Sequence, residues 1–242
     1  VKLAQVLEYL NIISPFELQE KWDNSGLLVG SANDEVHQIV LTLDVTKELS
    51  KSHPNNTLFI AHHPLIFSGL KSLDFQTYPA NVIQTLVQKN QSVIAMHTNA
   101  DKTHLNRYVF EKVLGFEIAS EDEFMLRANV SMDKKTLYAH LQKTLGLQSF
   151  RVVNEKETIA SIALTTGSGS SMMDMCGCDC FLTGDMKYHD AIKAQEQELM
   201  VVDINHFESE LFFARSMMDD LEKLEISVII SNSKNPFKNI TL

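Results

Sequence analysis

The chain has 242 residues, 44% of them hydrophobic and 21% charged, with 21 Lys and Arg against 31 Asp and Glu for a net charge of -10. That length buries a substantial core, as one large domain or two lobes, and the composition excludes a disordered chain. The acidic balance argues against nucleic-acid binding, which takes a basic face, and no run approaches the roughly 20 apolar residues of a membrane span.

The opening, VKLAQVLEYLNIISPFELQEKWD, has the period of an amphipathic helix rather than the pattern of a signal peptide, so the chain is expected to be cytoplasmic. In WDNSGLLVG, Trp22 is expected to pack and Gly26 and Gly30 to permit turns. Asp23 there either closes a turn before a strand or hydrogen-bonds a ligand histidine from behind. The apolar runs QIVLTLDVT, TLFIAHH and SVIAMHTN then read as strands, with YPANVIQTLVQKN and LNRYVFEKVLGF as helices between or after them.

Residues 117–158 break this rhythm and read as an edge strand and an exposed helix connecting two lobes. Beyond them the strands ASIALTTG, CFLTGD and LMVVDI alternate with the helices YHDAIKAQEQ and FESELFFARSMMDDLEKL. Alternation of this kind predicts an α/β protein with mainly parallel pairing. The boundaries are an N-terminal lobe over 1–116, the connection over 117–158 and a C-terminal lobe over 159–242. The three cysteines, Cys176, Cys178 and Cys180 in MCGCDCF, are too few and too close for a disulfide framework. They read as small buried residues around a turn at Gly177, a soft-metal site being the alternative.

Position is the informative property of the polar residues. Ligands of open α/β sheets bind beyond the carboxyl ends of the strands. Following the apolar runs stand Asp44, the pair His62 and His63, then His97 and Asp101, then Asp185 and His189, and finally Asp203, His206 and Glu210. Taken singly, each is equally well a turn or cap residue: Asp44 and Asp203 suit helix starts, and Thr183 and Asp185 of TGD suit a tight turn bonding its own backbone. Taken together they collect at one predicted edge. His206 and Glu210, four apart, project from one helix face. With His62, His63 and Asp101 they make three imidazoles and two carboxylates, a donor set suited to zinc, iron, manganese or nickel. Five ligands exceed one catalytic zinc, whereas a bridging carboxylate, Glu210 or Asp101, would let them serve two ions about 3.5–4 Å apart. Pro64 restricts His63 to extended geometry and ends the strand.

The ordered motifs WDNSGLLVG, LDVT, AHHPLIF, HTNAD, FLTGDMKYHDA and DINHFESE resemble the YbgI-like, NGG-interacting-factor-three-like family of dinuclear metal-centre proteins, often labelled GTP cyclohydrolase I type-two homologues. The resemblance runs from about residue 1 to 235. It implies two α/β lobes facing each other across a dinuclear metal cleft, in a toroidal homohexamer. The ligands it implies are His62, His63, Asp101, His206 and Glu210, holding two divalent ions. The sequence departs from the family at Asn205, where a glycine is usual and Asn also adopts the left-handed turn, and at Thr166 in TTGSGSS.

Such a centre favours hydrolysis of a small nucleotide-like or phosphorylated substrate, with His97 and His189 as candidate acid–base groups. Asp23, Asp44, Asp185 and Lys187 are then candidates to support the ligands or meet an anionic substrate. The rival reading is a non-catalytic metal-binding or regulatory hexameric scaffold, which carries the same ligands. TTGSGSS lacks the Lys of a phosphate-binding P-loop and the spacing of a dinucleotide motif.

Overall fold

The computed structural model describes residues 1–240. In chain order the helices are α1 (Leu3–Ile13), α2 (Lys47–Ser52), α3 (Ala80–Gln88), α4 (Thr98–Ala100), α5 (Lys134–Leu145), α6 (Tyr188–Glu196), α7 (His206–Glu210) and α8 (Phe213–Leu221). The strands are β1 (Gly26–Val29), β2 (Gln38–Thr42), β3 (Thr57–Ala61), β4 (Ser92–Ala95), β5 (Ser120–Glu121), β6 (Leu126–Asp133), β7 (Arg151–Val153), β8 (Thr158–Leu164), β9 (Cys180–Thr183), β10 (Met200–Asp203) and β11 (Ser227–Ile230). All six predicted strands form, as β2, β3, β4, β8, β9 and β10. No helix among the described residues is long and apolar enough to cross a membrane.

The chain divides into two compact units, Val1–His104 with Phe213–Lys234, and Leu105–Phe212 with the segment from Asn235. The first unit holds a sheet of order β1-β4-β3-β2-β11, parallel except for the β1–β4 pair. Its central strands are apolar at successive positions, as a sheet covered on both faces requires. Val40, Phe59, Ala61 and Val93 face one way and pack with Val82, Ile83 and Leu86 of α3. The alternate residues Ile39, Leu41, Leu58, Ile60 and Ile94 are buried as well, and α8 packs against β2 and β11. Thr46 caps α2, its hydroxyl accepting the Leu49 N–H at 3.1 Å.

The second unit holds a mixed sheet of order β5-β6-β8-β9-β10-β7, parallel only at β8–β9 and β9–β10. The expected connector over 117–158 is therefore corrected: it supplies β5, β6 and β7 to this sheet, and residues 213–234 return to complete the first. The predicted α5 starts where the Asp133 carboxylate accepts the Thr136 N–H at 2.7 Å and stops at Gly146, whose φ is 70°. The stretch after α4 is helical in wider π-type turns, Asp101–Leu105 and Tyr108–Val113. Cys176 follows a short 3-10 helix, Gly177 turns with φ 62°, and Cys180 opens β9. Cys176 is buried with Phe181, Met173 and Val201, and Cys180 is buried at the start of β9; burial pushes the Cys176 thiol up to about 11 and the Cys180 thiol higher still.

Candidate metal centre

Register decides which side chains meet. In the first sheet Thr42 is paired with Ala61, and Ala61 with Ala95, so β2, β3 and β4 end level. Residues just beyond them share one edge. The ladder continues through the His62 N–H to the Thr42 carbonyl (3.1 Å), the His63 N–H to the Leu43 carbonyl (2.9 Å) and the Met96 N–H to the Ala61 carbonyl (2.8 Å). His62, His63 and His97 thereby come within ring contact, their centroids 5.1–5.9 Å apart. Ring nitrogens of the three lie within 4.8 Å of one another, a spacing that could hold a metal ion. Asp101 stands one turn past His97, its N–H bonded to the His97 carbonyl at 3.0 Å, and its Oδ1 lies 3.5 Å from His62 Nε2.

Each imidazole is held through Nδ1. His62 is fully buried, lies 4.9 Å from the Phe213 ring of α8, and donates Nδ1–H to the Met96 carbonyl at 3.0 Å. A carbonyl only accepts, so the His62 lone pair in the neutral ring is on Nε2. His63 Nδ1 meets Asp44 Oδ1 at 2.9 Å, and His97 Nδ1 meets Asp23 Oδ1 at 2.8 Å. The Asp23 side chain is buried and also accepts from the Thr98 N–H (3.0 Å), the Thr98 hydroxyl (2.5 Å) and the Ser25 hydroxyl (3.2 Å). Burial alone would raise its carboxyl, but the bonds from His97 and Thr98 overcome this and hold it well below the usual carboxylate range. Asp23 thus stays ionised and supports His97. Trp22 beside it does not pack into the core: its side chain is exposed, against the expectation from sequence.

The second unit repeats the logic. Leu164 is level with Leu182, and Thr183 with Asp203, so the loops after β8, β9 and β10 leave from one edge. His206 Nδ1 meets Asp185 Oδ2 at 2.7 Å, and its Nε2 lies 2.8 Å from Glu210 Oε2 across one turn of α7. Asn205 has a positive φ of 63°, but its ψ of 150° lies outside the left-handed turn expected of it. Thr183 does not bond within its own turn; its hydroxyl accepts the Gly169 N–H at 2.8 Å and fastens the glycine loop. Asp203 is buried, paired with Arg151 and accepting the Met186 N–H at 3.2 Å.

Sequence reading singled out that glycine loop but not its partner. Gly167 has φ 63°, its N–H donates to the Ser209 hydroxyl at 3.0 Å, and a β-carbon there would collide with Oε1 of Glu210. Its signal was present as a glycine at a strand exit but had no assigned partner. His189 and Lys187 are exposed at the start of α6, His189 edge-on to Tyr188 at 5.4 Å. Among the described residues neither side chain hydrogen-bonds to Asp185, His206 or Glu210.

The donor chemistry fits a divalent ion. In the first unit a lone-pair nitrogen of His62 faces a carboxylate oxygen in a buried setting, and in the second the His206–Glu210 pair does the same at partial exposure. Nitrogen and carboxylate donors this close could hold a shared cation. The fold and these donors define an α/β protein with paired-histidine and carboxylate clusters at the carboxyl ends of its strands.

The chain belongs to the Duf34/NIF3 (NGG1p interacting factor 3) family, whose model matches residues 1–236. It is 43% identical over 239 residues to a Campylobacter jejuni protein named GTP cyclohydrolase 1 type 2 homolog, covering 98% of this chain and 99% of that one. It is also 43% identical over 240 residues to Helicobacter pylori GTP cyclohydrolase 1 type 2, with the same coverage. Among solved structures, the Staphylococcus aureus hypothetical protein SA1388 superposes with a TM-score of 0.88 at 29% identity, covering 99% of both chains.

Proposed function

We propose that the chain is a divalent-metal-dependent hydrolase acting on a small nucleotide-like or phosphorylated substrate, with two ions held by His62, His63, Asp101, His206 and Glu210. The observation that carries this reading is the shared presentation of the imidazoles, each with Nδ1 tied to a fixed acceptor so that Nε2 is the ligating nitrogen. The name of the H. pylori relative, GTP cyclohydrolase 1 type 2, supports a nucleotide as substrate. When bound, such ions supply Lewis acidity and a hydrolytic nucleophile near neutral pH.

The remaining steps belong to side chains. Asp44 and Asp185 orient His63 and His206 and raise their basicity as donors. The ionised Asp23 keeps the His97 proton on Nδ1, so Nε2 takes or returns a proton at the substrate. Asp101 and Glu210 balance positive charge at the buried end of each cluster.

The test is to strip the protein with a chelator, reload it with manganese, iron, zinc or nickel, and screen GTP and phosphoesters beside His63→Ala and Glu210→Ala. The parent should bind two ions and turn over a substrate that both variants process at least about a hundredfold more slowly. Equal turnover in parent and variants would refute the proposal. Two bound ions without turnover of any substrate would replace it with a non-catalytic metal-binding role.

A further inference from the structure

The large aromatics of the core, Phe59, Phe110, Phe181 and Phe213, are fully buried, yet Trp22 is 59% and Phe67 51% exposed. Leaving such rings in water forgoes the burial that those core rings obtain. These two also lie together, with centroids 6.0 Å apart and planes 42° from parallel, an open V. Both stand edge-on to His97, at 6.1 Å and 78° for Trp22 and 6.4 Å and 80° for Phe67. His97 in turn touches the rings of His62 and His63.

The V is held from behind. The Asn24 side-chain amide donates to the Ile66 carbonyl at 2.6 Å, tying the segment after Trp22 to the segment before Phe67. Asp23 fastens the same turn to His97 and Thr98. Phe67 also lines a cavity of about 410 Å³ together with Lys71 and Tyr78. That volume falls in the range of small-ligand sites, about 300–1,000 Å³, and Lys71 puts a cation on its wall.

We infer that Trp22 and Phe67 form the platform that takes the planar heteroaromatic ring of the substrate, beside the proton-transferring His97, with Lys71 meeting its anionic group. Stacking on an aromatic face tolerates any base and is worth about fivefold to a hundredfold in affinity per ring. The inference rests on the reading of the centre as one that acts on a nucleotide-like molecule, and it assigns specificity for the ring to residues that hold no metal.

Trp22 is the single tryptophan of the chain, so its fluorescence reports the platform directly. The metal-loaded protein is titrated with GTP, guanosine, ribose 5-phosphate and inorganic triphosphate, with correction for absorption by the purines. GTP and guanosine should quench saturably and the two ringless probes should not. Phe67→Ala keeps the reporter and should raise the half-saturating GTP concentration about tenfold or more, with bound metal and melting temperature unchanged, and Phe67→Tyr should restore it.

Quenching that is equal in parent and Phe67→Ala, or equally strong with ribose 5-phosphate, would overturn the inference. So would a Phe67→Ala variant that changes the oligomeric state alone, which would make the aromatics a contact between copies. Saturable quenching without product would sink the hydrolase reading and leave the platform standing. Turnover of a purine nucleotide with no quenching and no effect of Phe67→Ala would do the reverse.

Discussion

Replacing Gly167 by alanine tests whether the glycine loop sets the position of Glu210. Two costs are separable. A residue with a β-carbon at φ 63° pays about 1–2 kcal/mol for left-handed backbone. For a chain of this size each kcal/mol lowers the melting temperature by about 2–4 °C, so a fall of about 2–8 °C is expected in the metal-free protein. The second cost is the collision with Oε1 of Glu210, the far end of a flexible side chain, which has to swing away from its set position. Losing the set position of one ligand typically weakens metal binding about 10- to 100-fold, or about 1.4–2.7 kcal/mol.

Gly146→Ala supplies the control, since Gly146 has φ 70° and nothing within 4 Å of an added β-carbon. It should melt lower by a similar amount and bind manganese as the parent does. Titration calorimetry with manganese and scanning calorimetry without it separate the two effects. If Gly167→Ala bound manganese as tightly as Gly146→Ala, Glu210 would not be a ligand positioned by this loop, and the argument from the missing β-carbon would fail.

Asp185→Asn keeps the shape and an acceptor for His206 Nδ1 but removes the charge; about tenfold weaker binding of manganese is expected by competition with a chromophoric chelator, with melting changed by no more than about 2 °C. His104 supplies a pH dependence away from the centre. Its burial holds the imidazole below the ordinary value, against the opposing Asp220 carboxylate 3.3 Å away. The unfolded chain therefore binds the proton first. Its contribution is complete above about pH 6.5 and is lost as pH falls from there through the lower folded value. Urea unfolding between pH 8 and 5 should show that slope, and His104→Gln should flatten it.

The elements most legible in the sequence are those whose own residues decide them. Strands β2, β3, β4, β8, β9 and β10 are buried runs of β-branched and apolar residues bounded by turn signals, and each was readable locally. The missed strands β7 and β11 are three and four residues long and lie at sheet edges, where half-exposure blurs the apolar signal. The misassigned 117–158 stretch alternates polar and apolar residues because β6 is covered less on one face, and alternation looks like a surface element. No local pattern announces that Ser227–Ile230 pairs with Gln38–Leu41, almost two hundred residues earlier. The site was legible for a related reason: polar residues directly after buried runs mark a common edge when the strands end in register. What periodicity does not carry is who leans on whom, so the Met96 carbonyl behind His62 and the space at Gly167 for Glu210 emerged only from coordinates.

The pairing of β11 with β2 also has a consequence for synthesis on the ribosome. Ile39, Val40 and Leu41 are synthesised almost two hundred residues before the strand that closes their outer edge. At about 5–20 residues per second the edge stands open for roughly 10–40 s. Phe213, which shields His62, arrives in the same late stretch. Over that interval a nascent chain carries one open edge of β2 beside imidazoles that Phe213 does not yet shield, the kind of exposed strand edge that invites pairing with another chain.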